Sequence, residues 1–108
     1  MPIIIENCFP IMRDFIFYCE TIKNSSPATV YNYYIDLSLF FRYMKHHKNA
    51  APPAQKIANI MINDIDIDFI KSISLEDIYS FFHYITVARG NAEQARARKI
   101  SSLRMFYK

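Results

Sequence analysis

Residues 24–37 read NSSPATVYNYYIDL, and this stretch sets where a long helix begins. Ser26 offers a side-chain oxygen that accepts an orphan backbone N–H, and Pro27 suits the first helical position because it has no N–H to leave unsatisfied. From there Val30, Tyr33, Tyr34, Leu37, Phe40, Phe41 and Met44 recur at spacings of three and four, the rhythm of a helix with one apolar face. Helices usually place an acid in the first turn, where the aligned peptide dipoles leave a partial positive charge. Here the first acid after Ser26 is Asp36, more than two turns in. The start is capped, and its positive end is left open.

The same periodicity predicts three further main helices. One runs over 7–22, with Phe9, Met12, Phe15, Ile16, Cys19 and Ile22 as its apolar side. Another opens at Ser74, where S-L-E-D puts Asp77 in place to close a capping box; Leu75, Ile78, Phe81, Phe82 and Ile85 form its core side, and Arg89-Gly90-Asn91 ends it. The last spans 92–107, with Ile100, Leu103, Phe106 and Tyr107 facing inward and Gln94, Arg98, Ser101 and Met105 opposite. Between the second and third lies a long connection, 46–72, whose HHKNAAPPAQK reads as loop; a short element is expected near Asp66 to Ile70. Gly90, the one glycine, cannot supply the positive-φ turns of a sheet-rich fold, so the class is all-α.

A chain of 108 residues, 52% hydrophobic and 16% aromatic, makes one domain with its own core. The formal charge is only +3, but it is unevenly distributed. Arg89, Arg96, Arg98, Lys99, Arg104 and Lys108 face only Glu93 at the C-terminal end, whereas Asp64, Asp66, Asp68, Glu76 and Asp77 face only Lys71 in the middle. Cys8 and Cys19 are eleven residues apart, about 16 Å on one helix and too far for a disulfide. They read as free buried thiols of a reducing, cytoplasmic protein. The apolar PIII start lacks the length and charge of a signal peptide, and no stretch approaches a membrane span. His46 and His47 lack a third ligand nearby, and Asp64, Asp66 and Asp68 lack the glycine and terminal glutamate of a calcium loop. No metal, cofactor, small-molecule substrate or catalytic dyad is expected.

Three motifs carry a resemblance. Ser26, Pro27, Thr29, Tyr33, Asp36 and Leu37 match S-P-x-T-x-x-x-Y-x-x-D-L; Ile73 to Ile78 is similar to I-T-x-E-D-I; and 98–107 is similar to R-x-L-S-A-L-R-x-F-Y. In this order they resemble the core-binding domain of tyrosine recombinases, the phage integrase and Xer group. The resemblance implies four main helices arranged as two crossed hairpins, the SAM-like integrase N-terminal fold, with 1–108 making up that domain alone. It implies that the catalytic domain is absent from this chain: His46, His47 and His83 are followed three places on by Asn49, Ala50 and Thr86, so no H-x-x-R occurs, and Tyr107 falls on a core position rather than a nucleophile's. This chain is then no enzyme, while its parent would cut and rejoin DNA through a 3′-phosphotyrosyl link.

The expected partner is double-stranded DNA, with the parent tetrameric on two DNA sites. Ser26 and Thr29 at the open helix start would meet a phosphate. Tyr31 and Asn32, on the outward side of the second helix, would reach bases or backbone, and Asn pairs bidentately with adenine. On the last helix Gln94, Arg98 and Ser101 would face the groove, with Lys99 and Arg104 on phosphates at its edges. Phe9, Met12 and Phe17 are candidates for contacts between subunits, and Arg42 reads as an ordinary surface charge. The alternative is a helical protein-interaction module built on Tyr31, Ile35 and Leu39 that never touches DNA.

Overall fold

The computed structural model describes residues 3–52, 54–90 and 92–107. Its α-helices are α1 (Pro10–Thr21), α2 (Pro27–His47), α3 (Ile67–Ser72), α4 (Leu75–His83) and α5 (Glu93–Phe106). Single 3₁₀ turns lie at Ile5–Asn7 and Ile57–Asn59, and α4 continues into one π-helical turn, Tyr84–Ala88. The described residues contain no strand. The all-α class is therefore observed, with the short α3 added to the four main helices. The readings at the PIII start, Pro53, Asn91 and Lys108 fall wholly or partly outside the described residues.

The central element is α2, against which α1, α4 and α5 all pack. Its Val30, Leu37, Phe40, Phe41 and Met44 are essentially removed from solvent. Edge-to-face rings join the layers: Phe41 meets Phe9 at 4.8 Å and Phe106 at 5.6 Å, and Phe40 meets Phe81 at 5.1 Å. Each such pair adds about 0.5–1.5 kcal/mol beyond the area it buries. Phe9, Phe40, Phe41 and Phe81 are thus among the largest fully buried side chains of the core. Cys8 and Cys19 are free and buried in it, and burial pushes the Cys8 thiol up to about 11.

The connection after α2 is held down rather than left loose. Ile60, Ile62 and Ile65 are buried, and the C-terminal half of α2 bonds to the chain around them. Arg42 Nε donates to the Ile60 carbonyl at 3.2 Å, and Lys45 Nζ donates to the Met61 carbonyl at 2.9 Å and to Asp64 Oδ1 at 2.8 Å. Arg42 is therefore a structural tie, not an ordinary surface charge. Asp66 caps α3 by accepting from the Phe69 N–H at 2.9 Å, so two of the three acids in the alternating run have local partners.

Several expected boundaries and faces shift. The first helix starts at Pro10, after a separate 3₁₀ turn, and ends at Thr21, which leaves Ile22 74% exposed beyond it. His46 and His47 belong to α2, so the connection proper starts at Lys48. Leu75, expected inside, is 61% exposed at the first position of α4. Phe9 and Met12 are fully buried against α2 and cannot present an assembly surface, whereas Phe17 is exposed. Gly90 takes φ +61°, but Asn24 and Asn49 also take positive φ where α1 and α2 end. Asparagine tolerates that region well, so the single glycine was less of a limit than expected.

Candidate nucleic-acid interface

The start of α2 has the geometry its sequence predicts. The Ser26 side chain accepts from the Thr29 N–H at 3.2 Å and donates to Thr29 Oγ1 at 2.9 Å, with Pro27 at the first helical position and no acid in the first turn. The Val30 N–H reaches the Ser26 carbonyl at 3.0 Å. Among the described residues no side chain accepts from the Ala28 N–H, which still points out of the helix end. Ser26 is exposed, and Thr29, Tyr31 and Asn32 are half-buried around it. Tyr31 leans towards Tyr34, with ring centroids 6.2 Å apart.

The first acid of α2 goes into the seam with α5. Asp36 is 1% exposed and accepts two bonds from Arg98, from Nη2 at 2.8 Å and Nε at 3.2 Å, and one from Ser102 Oγ at 2.7 Å. Lys99 Nζ lies 3.9 Å from the same carboxylate. A buried carboxylate needs its lone pairs occupied, and here Arg98 and Ser102 occupy them, with the Lys99 charge close by. One side chain of α2 thereby fixes the register of α5.

This arrangement sorts the sequence-predicted residues of α5. Gln94, Ser101 and Arg104 are exposed, as expected. Arg98 has 44% of its side chain exposed, but its guanidinium fork is committed to Asp36. Lys99 departs from the expected edge position: its side chain is 7% exposed, and desolvation, partly offset by Asp36, lowers its pKa while Arg98 and Arg89 lower it further. It faces inward because helical spacing places 99 beside Ser102 and Leu103, both buried. Ser102 is 1% exposed for the same reason.

The Asp36 tie escaped sequence reading, although its residues sit inside two of the matched motifs. A signal was present: an acid among Tyr33, Leu37 and Phe40 on an apolar stripe demands a buried partner. No group of three or more His, Cys, Asp or Glu capable of holding a metal occurs among the described residues, and no helix there is long and apolar enough to cross a membrane.

Known proteins give a consistent answer. Over 98 residues the chain is 42% identical to tyrosine recombinase XerC of Caldanaerobacter subterraneus subsp. tengcongensis, covering 91% of this chain and 28% of that protein. XerC from Leptospira interrogans serogroup Icterohaemorrhagiae, serovars copenhageni and Lai, is 31% identical over 96 residues, 89% of this chain and 25% of each relative. No protein-family model and no solved structure matches. The chain spans about a quarter of the length of the curated relatives it matches. Across 91% of its length, then, this chain is similar to one part of a tyrosine recombinase.

Proposed function

We propose that this chain is the DNA-binding, core-binding part of a tyrosine recombinase, lying at the N-terminal side of a parent whose separate catalytic domain performs strand exchange. It clamps one face of a recombination half-site in double-stranded DNA while the catalytic domain grips the other. The observation that carries this reading is the 42% identity to a XerC protein over 91% of the chain. The capped, acid-free start of α2 and the basic α5 agree with it.

In this reading Ser26, Thr29 and the Ala28 N–H take a phosphate at the α2 end, and Tyr31 and Asn32 reach into the groove beside it. Gln94, Ser101 and Arg104 approach from α5. Arg98 presents its free edge to the DNA while holding Asp36, and Lys99 acts from inside by positioning that pair. The parent assembles as a tetramer on two DNA sites, and on α1 the exposed Phe17 is the remaining candidate for contacts between subunits.

The test is a titration of labelled duplex with the 108-residue chain at low and moderate salt. The expected result is weak binding that falls steeply with salt, by a slope of about 0.9 in log affinity per log salt for each phosphate neutralised. Absence of binding at low salt, or binding indifferent to salt, overturns it and favours a protein-interaction module instead. The pure chain is also expected to leave supercoiled plasmid intact; relaxation would contradict the division of labour proposed here.

A further inference from the structure

One face of α2 runs past the residues assigned above. Tyr31, Ile35, Leu39 and Arg42 follow one another at helical spacing, a line of about 16 Å. Its C-terminal half opens into a groove of about 470 Å³ lined by Ile35, Leu39, Arg42, Lys56, Tyr84, Arg89 and Lys99, with Ile57 and Ala58 completing one wall. The floor is apolar, four of the lining residues are cations, and none is an acid.

Among the described residues two of these cations have no ion-pair or hydrogen-bond partner. Arg42 is bonded to the Ile60 carbonyl and Lys99 lies against Asp36. Lys56 and Arg89 are exposed, and among the described residues neither side chain enters an ion pair or hydrogen bond. Burial lowers the Lys99 pKa, partly offset by Asp36, and the nearby Arg98 and Arg89 charges lower it further. Arg89 is brought to the groove by the π-helical turn that carries the chain off the end of α4, and Lys56 by the bonded-down connection. Lys56 immediately precedes a 3₁₀ turn, and Arg89 immediately follows the π-helical turn.

We infer that this groove is a second DNA contact, taking the sugar–phosphate backbone of the duplex on from the α2 start, with phosphates at Lys56 and Arg89 and deoxyribose over Ile35, Leu39 and Ile57. The inference rests on the function proposed above and extends its contact line. Charge selects the occupant: an all-cation rim suits a polyanion, and the apolar floor suits the sugar faces between phosphates. The groove is continuous with Tyr31, one turn from Ile35 along the same face.

The test compares salt titrations of duplex binding for the wild-type chain, the double variant Lys56→Ala/Arg89→Ala, the variant Ile35→Glu and the control Lys71→Ala, which removes an exposed cation on α3. All four positions are exposed, so folding should persist, with thermal melting as the check. The expected result is that the double variant loses about 1.8 of the log–log salt slope, two contacts at about 0.9 each. Ile35→Glu weakens binding to all duplexes, and Lys71→Ala changes nothing. If wild type binds with the expected salt dependence but the double variant keeps its slope and affinity, the inference fails and the proposed function stands. If wild type binds no DNA at low salt, both fail. If the double variant and Lys71→Ala lose slope equally, the effect is general charge and the groove is not a site.

Discussion

The starts of α2 and α4 solve the same problem in different ways. Both are capped by a serine whose side chain accepts from the third N–H at 3.2 Å. At α4 the box is closed: Asp77 Oδ2 accepts the Ser74 N–H at 2.8 Å, Glu76 adds a second acid to the first turn, and Lys48 Nζ binds Asp77 Oδ2 at 3.2 Å. At α2 the equivalent position is Thr29, the first turn has no acid, and the acid of this helix lies inside, under α5. Positive charge at one helix end is answered within the fold. At the other no acid answers it, and the first carboxylate of that helix joins α2 to α5 instead.

The largest effect tests where that carboxylate is spent. Asp36→Ala leaves Lys99 buried without its partner and frees Arg98 and Ser102, and breaking a buried pair by removing one member costs about 3–5 kcal/mol. The lower end is expected, because the Arg98 side chain keeps 44% of its exposure and can turn to water. Urea unfolding should show this loss, and Asp36→Asn, which still accepts from Ser102, should lose less. If Asp36→Ala unfolds at the same urea concentration as wild type, the seam does not hold α5.

Much of this comparison was legible beforehand, and the parts that were not have physical reasons. Caps are local: Ser26 and Ser74 announce themselves within four residues, so both helix starts were readable. Long-range pairing is not. The bond between Asp36 and Arg98 spans 62 residues, and outward-looking periodicity put Arg98 and Lys99 on a solvent face because neither residue carries a mark of its neighbour across the seam. The connection was opaque for a similar reason. Its register is set by Arg42 and Lys45 of α2 and by Lys48 just after it, and Arg42 reads as a surface charge until its carbonyl partner is seen.

A smaller effect belongs to α4. The Ser74 backbone N–H, with help from Lys48 and the Ser74 hydroxyl, holds the Asp77 carboxyl at about 2 against an ordinary 3.8. A depressed carboxyl contributes stability that is fully present above the unfolded value and is lost as pH falls through the folded one. Asp77→Asn should therefore lower stability by about 1–2 kcal/mol near neutral pH. That difference from wild type should shrink below pH 3.8 and be mostly lost by about pH 2. A difference that persists unchanged at pH 2 would mean that packing, not the charge, accounts for it.

The smallest change in stability makes the sharpest comparison, because it gives α2 what α4 already has. Ala28 is exposed at the second helical position, so Ala28→Asp introduces a first-turn acid without touching the core. A carboxylate there faces the open N–H and the positive end of the dipole, which stabilises a helix by about 0.3–1 kcal/mol at low ionic strength. Thermal unfolding should rise slightly in low salt and return to the wild-type value in high salt, where the interaction is screened. DNA binding should move the other way. The added charge occupies the place proposed for a phosphate and repels it, so affinity for every duplex should fall, with about 0.9 lost from the log–log salt slope for the one contact removed. Replacing Glu76 of α4 with Gln provides the mirror control, a small loss of stability with no change in DNA affinity. A variant that gains stability at Ala28 and binds DNA as tightly as wild type would show that the open end of α2 faces water, and that the absent acid has no bearing on DNA.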